Sequence, residues 1–127
     1  MSEEENIELL RESIAKHNDP EMRDQYLDGY SDNLTLHGAN ADSLAELEAF
    51  YRTVWEAIPD LTVTIERAIA DGDEVGVRYS WSGTNAKTGE TVSLDSGLTW
   101  YRFEDGKIVE RWVASGTGEA IRDIIQP

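Results

Sequence analysis

The hydrophobic period of this chain changes at Pro59, and no other feature constrains its fold as much. Before Pro59 apolar residues recur every three or four positions; after it they alternate. Upstream, Ile7, Leu10 and Ile14 share one helical face behind Ser2 and Glu5, a pair at capping-box spacing. This predicts a first helix ending near His17. Asp19-Pro20 supplies an N-cap and a proline at the first helical position, predicting a short second helix with Met22 and Tyr26 inward that fails by Gly29. Leu34-Thr35-Leu36 reads as a brief extended piece. Ser43 and Glu46 repeat the capping-box spacing. Leu44, Leu47, Tyr51, Val54, Trp55 and Ile58 follow at helical spacing until Pro59 stops a third helix.

Downstream, Leu61, Val63 and Ile65 alternate with polar residues. The turn Asp71-Gly72-Asp73 leads into Val75, Val77, Tyr79 and Trp81. Residues 83–90 read as a loop. A third strand is expected from Thr91 to Phe103, and Asp105-Gly106 makes a tight turn into a fourth from Lys107 to Ser115. Gly116 and Gly118 are expected to break that strand before a last short helix, Glu119 to Ile125. Helices first and an antiparallel meander afterwards predict an α+β fold, one domain spanning 1–127. Nothing alternates as βαβ, which excludes a Rossmann-like sheet.

Composition narrows the function. Twenty-six acidic residues face eleven basic ones, a formal charge of -15, and only three of the bases are lysine. Such a surface repels nucleic-acid phosphates and anionic membranes, so neither is expected as a partner. Dense carboxylates with little lysine suit a halophilic cytoplasm, where hydration and screening contain the repulsion; a basic partner or mere solubility are the other readings. The absence of cysteine excludes disulfides, thiolate zinc sites and cysteine nucleophiles. Two separated histidines do not suggest a metal site. Gly116-Thr117-Gly118 lacks the third glycine and the βα setting of a dinucleotide fingerprint, so no cofactor is expected. No stretch approaches the roughly 20 apolar residues of a membrane span, and the start is acidic where a signal peptide is basic. The expectation is a cytoplasmic protein.

The run Tyr101-Arg102-Phe103-Glu104-Asp105-Gly106-Lys107-Ile108-Val109-Glu110-Arg111-Trp112 resembles the SnoaL-like polyketide cyclases of the NTF2-like superfamily. Ile58-Pro59-Asp60-Leu61-Thr62-Val63 is similar to that family's lead-in to the sheet. Tyr30-Ser31-Asp32-Asn33-Leu34-Thr35-Leu36-His37-Gly38 is similar to its segment ending in His-Gly. The likeness covers Asn6 to Ile125. It implies a cone: three N-terminal helices packed in a strongly curved, mixed or antiparallel sheet, with a short C-terminal helix. It also implies a pocket for a small, largely apolar molecule and a homodimer formed through the outer sheet face. This fold serves cyclases, isomerases, dehydratases, epoxide hydrolases and non-enzymatic modules alike, so chemistry must be argued from residues.

Strand parity decides which residues enter a cone. On the second strand Val75, Val77, Tyr79 and Trp81 form the buried set. A likeness to ketosteroid isomerases places Asp95, Gly97 and Thr99 inward on the third strand, with Leu98 and Trp100 facing a partner subunit. The same likeness turns Val109, Arg111 and Val113 inward on the fourth, with Glu110 and Trp112 outward. Asp95, a carboxylate in an apolar cone, and His37, at the pocket end of its segment, are the candidate proton carriers. A buried Arg111 needs a carboxylate within reach. If Asp95 is that carboxylate, the pair orients a polar ligand group and does not shuttle protons. Tyr26, Tyr30, Tyr51, Trp55, Val77, Tyr79, Trp81, Thr99 and Val113 supply candidate ligand-binding walls, and the aromatic ones read equally well as plain core. His17 reads as a cation favoured by the dipole of the first helix.

The resemblance has departures. The cyclase histidine of the third strand is replaced by Thr99, and no acid follows Trp112. The base and second carboxyl of the ketosteroid isomerases fall at Gly38 and Thr99. Three readings therefore stand side by side. One is proton transfer beside a carbonyl by a cyclase, isomerase or dehydratase. Another is a non-catalytic ligand-binding or dimerising accessory domain. The third, an epoxide hydrolase, requires a carboxylate–Arg–carboxylate set of which Asp95 and Arg111 supply at most two.

Overall fold

The computed structural model describes residues 2–125. The order is α1 (Glu3–Asn18), a 3-10 segment (Arg23–Gly29), β1 (Tyr30–His37), α2 (Leu44–Ala57), β2 (Thr62–Asp71), β3 (Glu74–Thr84), β4 (Thr91–Glu104), β5 (Lys107–Val113) and α3 (Ser115–Ile125). Five strands form one sheet in the order β1-β5-β4-β3-β2, parallel between β1 and β5 and antiparallel elsewhere. The expected α+β class holds, with differences of detail. The second helix is a 3-10 segment, and the short extended piece is part of an eight-residue edge strand.

Local chemistry accounts for the boundaries. The Ser2 hydroxyl accepts from the Glu5 N–H at 3.1 Å while the Glu5 carboxylate accepts from the Ser2 N–H at 3.2 Å, a full capping box. The Ser43 hydroxyl caps α2 by accepting from the Glu46 N–H at 3.1 Å. Asp105 and Gly106 both have positive φ, 49° and 77°, as a two-residue hairpin turn of right-handed strands demands. At the C-terminus, α3 starts at Ser115 and not at Glu119, so Gly116 and Gly118 lie inside its first turn. Gly118 has a packing reason: a Cβ there would sit 2.5 Å from the Gly38 carbonyl oxygen.

Two polar side chains bind the helices to the sheet. Asn18, at the end of α1, takes the place of a missing neighbour for edge strand β2. Its amide donates to the Val63 carbonyl at 2.8 Å and its oxygen accepts from the Val63 N–H at 2.7 Å. Buried Arg23 donates to the carbonyls of His17, Pro59 and Leu61 at 2.9, 3.0 and 3.4 Å, joining α1, the end of α2 and the approach to β2.

Bulges between β3 and β4 and between β4 and β5 set which residues of β4 and β5 face the interior. Between β3 and β4, Tyr79 pairs with Gly97 but Trp81 pairs with Leu94, so Ser80 alone opposes Asp95 and Ser96. Between β4 and β5, Arg102 pairs with Glu110 but Phe103 pairs with Ile108, which leaves Val109 as the extra residue. The inward sets become Leu94, Gly97, Thr99, Tyr101 and Phe103 on β4, and Ile108, Arg111 and Val113 on β5; all are buried. Val75, Val77, Tyr79 and Trp81 face in on β3 as expected. Leu98 is half exposed, and Trp100 and Trp112 are half-buried on the opposite face. No helix among the described residues is long and apolar enough to cross a membrane.

Candidate functional site: a guanidinium in a tyrosine cage

The inner face of the sheet, α1 and α2 close around a chamber lined by aromatic rings and by Arg111. Tyr26 and Tyr51 meet edge-to-face at 4.9 Å, Trp55 stacks on Tyr51 at 5.9 Å, and His17 sits 4.6 Å from Tyr26 and 5.2 Å from Tyr51. Across from them stand Tyr79, Trp81 and Tyr101. Gly97 makes room for Tyr79, whose ring would lie 2.5 Å from a Cβ at that position. The Thr99 hydroxyl donates to the Tyr79 oxygen at 3.0 Å. These side chains nearly fill the cone, leaving space for water-sized groups of about 20 Å³, roughly one water molecule.

Arg111 dominates the electrostatics. It is 4% exposed, its Nη2 donates to the Tyr51 hydroxyl at 2.8 Å, and its guanidinium carbon lies 5.7 Å from the ring centres of both Tyr51 and Tyr101. Its Nε and Nη1 are buried with no hydrogen-bond partner among the described residues, and so is the Tyr30 hydroxyl. Burial works against the charge of Arg111 while the surrounding phenol oxygens favour it, and a guanidinium keeps its proton in proteins. Burial also raises the phenols, Tyr79 to about 12 and Tyr26 and Tyr101 well above the usual value, with Arg111 offsetting part of the rise. All three are neutral at physiological pH. Among the described residues no Asp or Glu lines the chamber.

Two expected site residues lie elsewhere. Asp95 occupies the β4 bulge and is exposed, not inward; the extra residue inverts the alternation that Gly97 and Thr99 set. It forms no salt bridge with Arg111. His37 has the parity opposite to half-buried Leu36, so its ring, 45% exposed, lies on the outer face. There it stacks on Trp112 at 5.3 Å, and its Nε2 lies 2.7 Å from Glu110. Glu110 also accepts from Arg102 at 3.1 Å, and the His37 hydrogen bond first, then Arg102, holds its carboxyl below the usual range. Val109 is half-buried at its bulge. Arg111, Val113, Val77, Thr99, Tyr26, Tyr30, Tyr51 and Tyr79 are buried in the interior as expected, and Trp55 is half-buried. Among the described residues no three His, Asp or Glu side chains are placed to hold a metal ion.

The SnoaL-like domain family matches residues 8–111. The chain belongs to that family. Solved structures agree in fold. AclR of Streptomyces galilaeus, put forward as a hydroxylase, superimposes with a TM-score of 0.81 at 25% identity, over 89% of this chain and 90% of that one. A SnoaL-like polyketide cyclase of Agrobacterium tumefaciens gives 0.73 at 19% identity, over 86% and 89%. An NTF2-like protein of unknown function from Burkholderia pseudomallei gives 0.76 at 22% identity, over the full length of both chains. No curated protein matches the sequence significantly.

Two polar chamber residues of this SnoaL-like domain, Tyr101 and His17, are not among the walls expected from the sequence. His17 is not a surface cation: it is 2% exposed, and its Nδ1 accepts from the Trp55 indole N–H at 3.0 Å. Its signal was its spacing, one turn beyond Ser13 and two beyond Leu10 on the buried face of α1. An indole only donates, so a neutral His17 carries its proton on Nε2. Burial holds its pKa down to about 4, and the cations of Arg23 and Arg111 push the same way. An unfolded histidine titrates near 6.5, so between those values the unfolded chain takes up a proton that the folded chain refuses. Stability should therefore fall as pH drops through that window, by up to about 3 kcal/mol. In His17→Gln, whose amide oxygen can still accept from Trp55, urea melts between pH 6.5 and 5 should lose this slope. An unchanged slope would contradict a neutral buried His17.

Proposed function

We propose that this SnoaL-like domain binds a small, largely apolar molecule in its cone and anchors an oxygen of that molecule on Arg111. The observation that carries the reading is the pair of unsatisfied guanidinium N–H groups inside an aromatic chamber. Buried donors are costly unless a partner meets them, and a planar ligand presenting a carbonyl oxygen between tyrosine and tryptophan rings meets both requirements. The chamber is tight, so a ligand enters only by displacing ring walls.

Binding is better supported than proton-transfer catalysis. A cyclase, isomerase or dehydratase needs a base near the reacting carbon. The chamber offers phenols, a guanidinium and a histidine that donates from Nε2, with no carboxylate among its lining residues. The same lack counts against an epoxide hydrolase. A non-catalytic ligand carrier is therefore favoured over the catalytic readings.

The protein acts, in this reading, as a homodimer in a salt-rich cytoplasm. Support for the dimer comes from the outer sheet face, where Leu98 and Ile69 are 50% and 49% exposed. They flank Trp100 and Trp112 around an apolar groove of about 650 Å³.

Two experiments follow. Titration with a planar ketone such as tetralone should quench the chamber tryptophans saturably. The dissociation constant should be unchanged in Asp95→Asn and His37→Gln and about tenfold weaker or worse in Arg111→Met. Absence of saturable binding in the wild type would overturn the reading, and loss of binding in either of the first two variants would return those residues to the site. For the dimer, light scattering should give twice the chain mass for the wild type and the single mass for Leu98→Lys. A monomeric wild type would refute it.

A further inference from the structure

The donors in the chamber share one property that goes beyond a place for a neutral carbonyl: nothing among the lining residues supplies a negative charge. Arg111 brings a full positive charge into a space where the nearest titratable side chains are neutral tyrosines and a neutral histidine. The protein carries 26 acidic residues, and the sheet places carboxylates on its outer face, at Glu74, Glu104 and Glu110, where they meet Trp100, Arg102 and His37. Strand parity excludes them from the interior. A guanidinium buried without a counter-charge is far more costly than a paired one, and cation–π contacts with Tyr51 and Tyr101 offset only part of that.

The free edges of Arg111 have a definite chemical demand. Nε–H and Nη1–H lie on different edges of the planar guanidinium, and Nη2 gives only one of its two hydrogens to Tyr51, so one edge still offers an anion a pair of parallel donors. His17 adds an N–H donor from the α1 side of the same chamber. We infer that Arg111 is kept for a compact monoanion, the carboxylate head of a small planar organic acid or a halide, which displaces ring walls on entry and supplies the charge that the chain withholds. This rests on the reading of the chamber as a ligand site and names the class of ligand.

The test compares benzoate with benzamide, its neutral isostere, and with bromide, each titrated at constant ionic strength and followed by tryptophan fluorescence. Wild type should bind benzoate or bromide saturably and Arg111→Met neither. Benzamide should bind at least about tenfold more weakly than benzoate. Saturation by benzoate identifies an organic acid site, and saturation by bromide alone identifies a halide site. Equal binding of benzamide and benzoate would overturn the inference while leaving the chamber a ligand site. Binding of none of the three would also overturn it, and the ketone titration then decides separately whether the chamber takes ligands at all. Because the benzoate–benzamide comparison is made on the wild type, it stands even where Arg111→Met fails to fold.

Discussion

A positive charge held inside an aromatic cone organises this molecule. Arg111 occupies the centre of β5, opposite Tyr101 in the antiparallel ladder, and projects between rings from the 3-10 segment, α2 and the sheet. Tyr51 from α2 is its one hydrogen-bond partner among the described side chains. That contact links the helical layer to the sheet through the interior, while Arg23 and Asn18 link them at the rim through backbone carbonyls and a strand edge. The two arginines are used differently. All three donating nitrogens of Arg23 reach carbonyl oxygens, which marks it as structural. Two of the Arg111 nitrogens meet no partner among the described residues.

The sheet decides which residues share that interior. One extra residue in β4 sends Asp95 to the surface, and one in β5 lets both Ile108 and Arg111 face in, three positions apart. The consequence is electrostatic as well as geometric. Carboxylates gather on the outer face, where solvent and arginines accommodate them, and the inner face keeps aliphatic side chains, hydroxyls, rings and one cation. The unsatisfied donors of Arg111 follow from this segregation.

Much of this was legible in the chain. The change of period at Pro59, the caps at Ser2 and Ser43 and the Asp105-Gly106 turn located most elements, because each rests on local chemistry. The aromatic walls followed from parity on β3 and spacing on α2. Asp95 did not, because a bulge leaves no mark in an alternating pattern when the extra residue is small and polar and its neighbour Ser96 is too. His37 was misplaced because the resemblance sets it at the pocket end of its segment, although its alternation with Leu34 and Leu36 already pointed outward. His17 was misread because histidine near a helix end suggests a dipole contact, while its spacing from Leu10 and Ser13 places it on the buried face. Gly116 and Gly118 read as breakers, yet close approach to the Gly38 carbonyl outweighs helix propensity at Gly118.

The central claim is that Arg111 is kept for a ligand and at a cost to the fold. The most direct measurement is the unfolding free energy of Arg111→Met against wild type, by urea melts at neutral pH without added ligand. An uncompensated buried cation should be replaced by a side chain of similar length without loss, or with a gain of about 1 kcal/mol or more. A loss of about 3 kcal/mol or more would contradict the account, since it would make Arg111 a structural residue as well paired in the free protein as Arg23.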